Sequence, residues 1–281
     1  MIAVYGDNCL DIYQRPRGQF VGGNAVNVAV HLAHLGATVG YFGTIGDDEA
    51  GAVIRAAIAA RGVDCSHLGT RSGDSAVTWI EVRQGERLVL GDRVGVQCPQ
   101  TLSTEDLRGL AAYRFIHASA YTAWNIDWRD ACPRIVEELE TLHDAGAHLS
   151  LDFSEQDEPN LAKLAGKYLR VAFVSRGADA TESDINRTLR FFHCCGIQEV
   201  VVTLGSTGSY YSSPAEHFHT SAHRIQPVDT LGAGDAFIAG WLFHRARAAD
   251  PRSIMEAATA LATDVCGYFG AWPQPRKRKV R

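Results

Sequence analysis

The stretch DTLGAGDAFIAGWL (residues 229–242) runs from a small, flexible turn, Gly232-Ala233-Gly234, directly into an apolar helix beginning at Asp235. A helix start carries unpaired N–H groups and the positive end of the helix dipole. Small residues there let an anion approach the backbone closely. Taken alone, G-x-G-D reads equally well as a plain turn with Asp235 as an N-cap. Two features favour an anion site with a working carboxylate. Asp229 and Asp235 bracket the turn, and the turn follows an extended segment, where open α/β sheets place their ligands.

Three further segments match that chemistry. In VGGNAVNVAVHLAHLG (21–36), Gly22-Gly23 lets backbone approach a ligand, and Asn24 and Asn27 fall on the first turn of a helix. Capping accounts for one asparagine but poorly for two, and an amide both donates to and accepts from sugar hydroxyls. In GDNCLDIY (6–13), Asp7 and Asp11 are two carboxylates in a turn after the first strand. Asp in turns is ordinary, so this segment is weak by itself. In VVTLGSTGSY (201–210), Gly205 and Gly208 would let the chain pass close to nucleotide phosphates, with Thr203 and Ser206 as hydroxyl donors. A β-turn between two strands is the plain alternative.

Around these segments, short β-rich runs alternate with helical ones. Strands are expected at 2–6, 38–46, 113–119, 147–153, 170–175 and 199–205. Helices are expected at 24–35, 49–62, 127–146, near 181–194, near 235–248 and at 253–268. In the first helix Ala25, Val28, Ala29, Leu32 and Leu35 make one apolar face. Such alternation implies an α/β fold with a mainly parallel sheet covered on both faces. AVTWIEV (76–82) alternates strictly and pairs with ERLVLG (86–91) as an antiparallel hairpin. That hairpin does not suit the parallel sheet and reads as a small sheet projecting over a cleft as a lid.

Composition narrows the classes. The chain has 281 residues, 46% hydrophobic and 21% charged, with a net charge of -5. There is no basic field for nucleic acid, and no apolar run nears the roughly 20 residues a membrane span needs. MIAVYGDN is not a signal peptide, so a cytoplasmic setting is expected. Seven cysteines without a C-x-x-C pair argue against zinc and against a disulfide framework. Lysine occurs only at 163, 167, 277 and 279, two of them in the tail RKRKVR, which reads as a solvated terminus. His31 and His34 lack a carboxylate partner at ligand spacing, and His217 and His219, which alternate on an expected strand, are only a weak metal candidate. Neither G-x-x-x-x-G-K-[ST] nor a G-x-G-x-x-G after the first strand is present. Any triphosphate must therefore lean on backbone amides and Mg2+.

Together these segments resemble the PfkB, or ribokinase-like, carbohydrate kinases over nearly the whole chain. GGNAVNVAVHLAHLG is similar to that family's N-terminal signature and DTLGAGDAFIAG to its C-terminal one. GDNCLDIY, GGNAVNVAV, IGDDEAG, SLDFS (150–154) and GAW (270–272) resemble the fructoselysine 6-kinase branch. The resemblance implies a three-layer α/β sandwich: one kinase domain over 1–281, a β-sheet lid from about 10–21 and 74–98, and a flexible basic tail at 273–281. It implies ATP-dependent phosphorylation of a sugar hydroxyl, in this branch the 6-OH of a fructosamine such as fructoselysine, with ATP and Mg2+. Asp235 would be the catalytic base and Gly232, Ala233 and Gly234 the anion hole. Asp11, Gly23 and Asn27 would meet the sugar, joined by Asp7 and Asn24 from the reading of the residues themselves. Thr203, Gly205, Ser206, Gly208 and Thr259 would meet ATP. Asp229, with backbone of Leu231 and Gly270, matches a monovalent-cation (K+) region.

One departure stands out. Members often carry N-x-x-E where this chain has Ser175 and Ala178, which leaves Asp179 or Glu182 to order Mg2+. A kinase of this fold for another small sugar or nucleoside, and a catalytically silent sugar-binding regulator, are the alternatives. No nucleic acid or membrane partner is expected. The lid's edges offer pairing across a homodimer.

Overall fold

The computed structural model describes residues 1–15, 17–84, 86–97, 102–119, 128–155 and 159–274, with side chains omitted over 128–134. Ile2–Tyr5 (β1) lies inside a nine-stranded sheet. It pairs in parallel with Val39–Gly46 (β4) on one side and Phe115–Ser119 (β8) on the other. Beyond β8, His148–Asp152 (β9), Leu169–Ser175 (β10) and Glu199–Thr203 (β11) continue in parallel. Leu68–Arg71 (β5) closes the far edge beside β4. Ser209–Ser212 (β12) and His217–Thr220 (β13) return antiparallel at the other edge.

Strand alternation sends side chains to two separate cores. Ile2 and Val4, Val171 and Phe173 enter one; Ala3, Ala172 and Val174 enter the other. The first core is completed by helices Asn24–His34 (α1), Glu49–Ala59 (α2), Ala233–Arg245 (α7) and Pro251–Val265 (α8). Thr104–Leu110 (α3), Trp128–Asp144 (α4), Pro159–Ala165 (α5) and Glu182–Cys194 (α6) cover the opposite face. This is the three-layer sandwich expected. With both faces covered, strands become continuous apolar runs, as in the fully buried Val200-Val201-Val202.

Two expectations change. α1 is not amphipathic: every residue from Ala25 to Leu32 is buried, because α7 packs against it in addition to the sheet. Asn27 and His31 are thus core residues and need internal partners. Asp11 is not in a turn. It lies in Cys9–Arg15 (β2), whose backbone bonds to neighbours on both sides.

β2 belongs to a second, four-stranded sheet, with Gly18–Gly22 (β3), Val77–Arg83 (β6) and Glu86–Arg93 (β7) in the order β3-β2-β6-β7. β6 and β7 form the antiparallel hairpin, but β6 runs parallel to β2. A register shift between Trp79 and Ile80 breaks the strict alternation read from the sequence. Among the described residues no helix is long and apolar enough to cross a membrane. Most of the basic tail, 275–281, falls outside the described residues.

Candidate active site

Gly232 is the N-cap of α7, with φ of 79° in the left-handed region. Its backbone abuts the chain at Ala271, whose Cα would stand 2.7 Å from a Cβ placed there. Only glycine suits both demands. Asp235 is therefore the third residue of the helix, not its cap. Its carboxylate accepts a hydrogen bond from Asn27 Nδ2 at 2.8 Å.

Asp229, at the other end of the turn, is fully buried. It accepts from the Tyr13 hydroxyl (2.7 Å), the Leu231 N–H (3.0 Å) and the Gly270 N–H (3.0 Å). One carboxylate thus ties β2, the glycine turn and the segment after α8 together. Asp229, Leu231 and Gly270 do meet, with the Leu231 and Gly270 amide hydrogens aimed at the carboxylate.

Beside this turn lies a cavity of about 70 Å³ lined by Asn24, Arg87, Asp152, Ser154, Phe173, Ser175, Thr203, Thr230, Gly232, Gly234, Asp235 and Ile238. Asp152, Ser175 and Thr203 end β9, β10 and β11, so the cavity opens at the carboxyl edge of the parallel sheet. The second sheet reaches over it with Arg87, and its neighbour Glu86 accepts from the Thr230 hydroxyl at 3.3 Å. Burial pushes the Asp235 carboxyl up to about 8 despite the Asn27 hydrogen bond, with Asp152 and Asp7 adding to the rise. Burial likewise lifts Asp152 to about 6. Desolvation disfavours the charged form, and so a carboxylate becomes a stronger base.

The sequence profile of the pfkB family carbohydrate kinases matches residues 4–277. The chain belongs to that family. It is 35% identical over 272 residues to the fructoselysine 6-kinase of Escherichia coli (strain K12), covering 96% of this chain and 99% of that one. It is 29% identical to a fructosamine kinase of Bacillus subtilis (strain 168), covering 97% and 92%. Among solved structures, the aminoimidazole riboside kinase of Salmonella enterica, complexed with aminoimidazole riboside and an ATP analog, superimposes with a TM-score of 0.78. That match has 25% identity and covers 96% and 94% of the two chains.

In this kinase the residues expected to meet sugar divide. Asn24 lines the cavity. Asp7 does not; its two oxygens accept from the Asn24 N–H (2.7 Å) and the Ala25 N–H (3.2 Å), so it fills the capping role at the start of α1. Neither asparagine caps that helix. Gly23, at φ of 108°, is required by the chain rather than by a ligand: Asn8 Cα would sit 2.5 Å from its Cβ. Asp11 is buried on β2 facing Gly22, with the Cys9 thiol donating to it at 3.1 Å. Burial raises its carboxyl to about 7. Asn27 is buried, and its amide is engaged on both sides.

The nucleotide set spreads over two hollows. Thr203 lines the cavity, whereas Thr259 lines a groove of about 520 Å³ with Phe218, His219, Thr220, Ser221, His223, Arg252 and Glu256. Gly205 and Ser206 form an exposed 3-10 turn between the antiparallel β11 and β12. Gly208, at φ of 112°, packs against the chain near the groove, with the Ala222 nitrogen 2.9 Å from where its Cβ would stand.

Asp179 and Glu182 are exposed at the start of α6, outside the cavity lining. Thr181 and Asp184 build a capping box there, which explains the local polarity of ADATES (178–183). Among the described residues no group of three or more His, Cys, Asp or Glu could hold a metal ion.

Arg87, Asp152, Ser154 and Thr230 were missed as cavity residues. Asp152 and Ser154 carried a signal, since one ends a strand of the parallel sheet and the other follows it. Arg87 carried none: it is one of several polar residues on an exposed hairpin.

Proposed function

We propose that this kinase transfers the γ-phosphoryl group of ATP to the 6-hydroxyl of a fructosamine, with fructoselysine as the leading acceptor. The observation carrying the reading is a buried carboxylate, Asp235, one helical turn from the glycine N-cap that opens α7. Asp235 takes the acceptor's hydroxyl proton. Gly232, Ala233 and Gly234 offer N–H groups and the positive dipole end to the migrating phosphoryl group. A carboxylate with pKa near 8 suits proton abstraction near neutral pH far better than an ordinary aspartate. Phosphoryl transfer is otherwise mostly positioning and charge stabilisation.

Thr203 and the groove at Thr259 are suited to the nucleotide, whose adenine end would lie toward Thr259. Mg2+ would be carried in by the nucleotide's phosphates; among the described residues no group of three or more His, Cys, Asp or Glu could hold it. Fructosamine acceptors are favoured by the likeness to two such kinases over nearly the full chain.

Arg87 is the only basic side chain on the described cavity lining. It would face the negative charge gathered there when the lid sheet closes. Arg87→Met is expected to lower kcat by about 10²-fold, the usual scale for losing one charge-stabilising donor. Steady-state kinetics with both substrates varied checks this. The acceptor itself is tested by coupled ADP release with fructoselysine, fructose, ribose and adenosine. Fructoselysine should give the highest kcat/KM by at least about 10²-fold, and a preference for a plain sugar or nucleoside would sink the fructosamine reading.

A further inference from the structure

The resemblance makes Asn27 a sugar contact, and in the fold each end of its amide already holds a hydrogen bond within the protein. Asn27 is buried in α1. Its Nδ2 donates to Asp235 Oδ2 at 2.8 Å, and its Oδ1 accepts from the indole Nε1–H of Trp272 at 3.1 Å. An indole N–H can only donate. It therefore fixes which end of the amide faces it, and leaves the NH2 end for Asp235.

Trp272 is itself held firmly. Its ring is buried, with the Arg61 guanidinium stacked 5.1 Å from its centroid. The two residues before it are anchored as well. The Gly270 N–H binds Asp229, and the Ala271 carbonyl lies 2.9 Å from His31 Nε2 on α1. Burial holds His31 down to about 4, so it stays neutral and serves there as an N–H donor.

We propose that Asn27 and Trp272 are positioning residues for the base, a two-step relay in which the indole orients the amide and the amide aims Asp235 and favours its carboxylate form. This rests on Asp235 being the base. The other charged groups acting on Asp235 are Asp152 at the end of β9, Asp7 in the loop after β1, and Arg87 on β7. Asp152 and Asp7 disfavour its ionised form. Arg87 and the Asn27 amide favour it. Removing the amide donor, or letting the amide flip its oxygen toward Asp235, therefore moves the proton affinity upward.

The test uses Asn27→Leu, which keeps bulk but cannot donate, and Trp272→Phe, which keeps a ring but loses the N–H. Carboxyl-carbon NMR of aspartate-labelled protein, with the Asp235 signal assigned by its loss in Asp235→Asn, reads the titration without any substrate. Both variants should raise the Asp235 midpoint, Asn27→Leu by about one pH unit or more. In turnover, the acid limb of kcat/KM should move up with it. Activity at pH 7 would fall about tenfold and recover at high pH, while the sugar KM changes little. An unmoved Asp235 midpoint in both variants overturns the relay. So does a loss confined to the sugar KM that alkaline pH does not restore, which would return Asn27 to the sugar. Should Asp235→Asn retain turnover, the base assignment falls instead, and the NMR titration still decides whether the relay exists.

Discussion

Asp235→Asn is expected to lower kcat by about 10²–10⁴-fold, the range for a positioned general base, with ATP and sugar binding retained. The wild-type protein should show a matching pH dependence. The base works only when ionised, so kcat/KM should rise with unit slope, reach half its plateau near pH 8, some four units above an ordinary aspartate, and level off above that. The same substitution should stabilise the fold. The pKa of folded Asp235 lies above that of an unfolded aspartate, and so the folded protein holds this proton more tightly. Below about pH 4 the group is neutral in both states and carries no penalty. As pH rises to about 8, the desolvated carboxylate costs progressively more, up to ~2–5 kcal/mol. Asparagine lacks that cost and can still accept from Asn27. Thermal melts should place Asp235→Asn above wild type at pH 8–9 and level with it near pH 4. A variant that melted no higher at pH 9 would mean that the carboxylate is better solvated than its burial implies.

Gly232→Ala is expected to be nearly as damaging to turnover and, in contrast, to destabilise. A left-handed φ of 79° costs a non-glycine residue about 1–3 kcal/mol. The added methyl also meets the Ala271 backbone, with Cα at 2.7 Å. Either the turn opens or the segment carrying Gly270 and Trp272 shifts, and both outcomes misaim the N–H groups. A kcat loss of about 10²–10³-fold and a lower melting temperature should appear together. Gly234→Ala separates the two effects. No atom lies within 4 Å of where its Cβ would stand, and its backbone is not left-handed. That variant should melt like wild type, yet lose turnover because its methyl enters the cavity lined by Asp235.

The positions of most strands and helices of the main sheet, and the glycine turn before α7, were legible in the chain itself because their causes are local. Apolar runs of β-branched residues, 3–4 spacing and a GAGD turn depend on neighbours within a few positions. The small sheet could also be expected, since a polar, alternating hairpin cannot sit in a doubly covered parallel sheet. Residue placement at the cavity was legible only where one backbone element defines it, as at Gly232 and Asp235.

Tertiary structure decided which polar groups remain free for a ligand. Asp7 and Asn27 look alike on paper, as polar residues near glycines. Folding spends Asp7 on two amides of α1 and Asn27 on partners 208 and 245 residues away. Arg87 and Asp152 become neighbours only through closure of one sheet over the carboxyl edge of another. A buried hydrogen bond is won by whichever donor the packed chain brings within about 3 Å. That competition is settled between distant segments, so no local pattern in the sequence records its result.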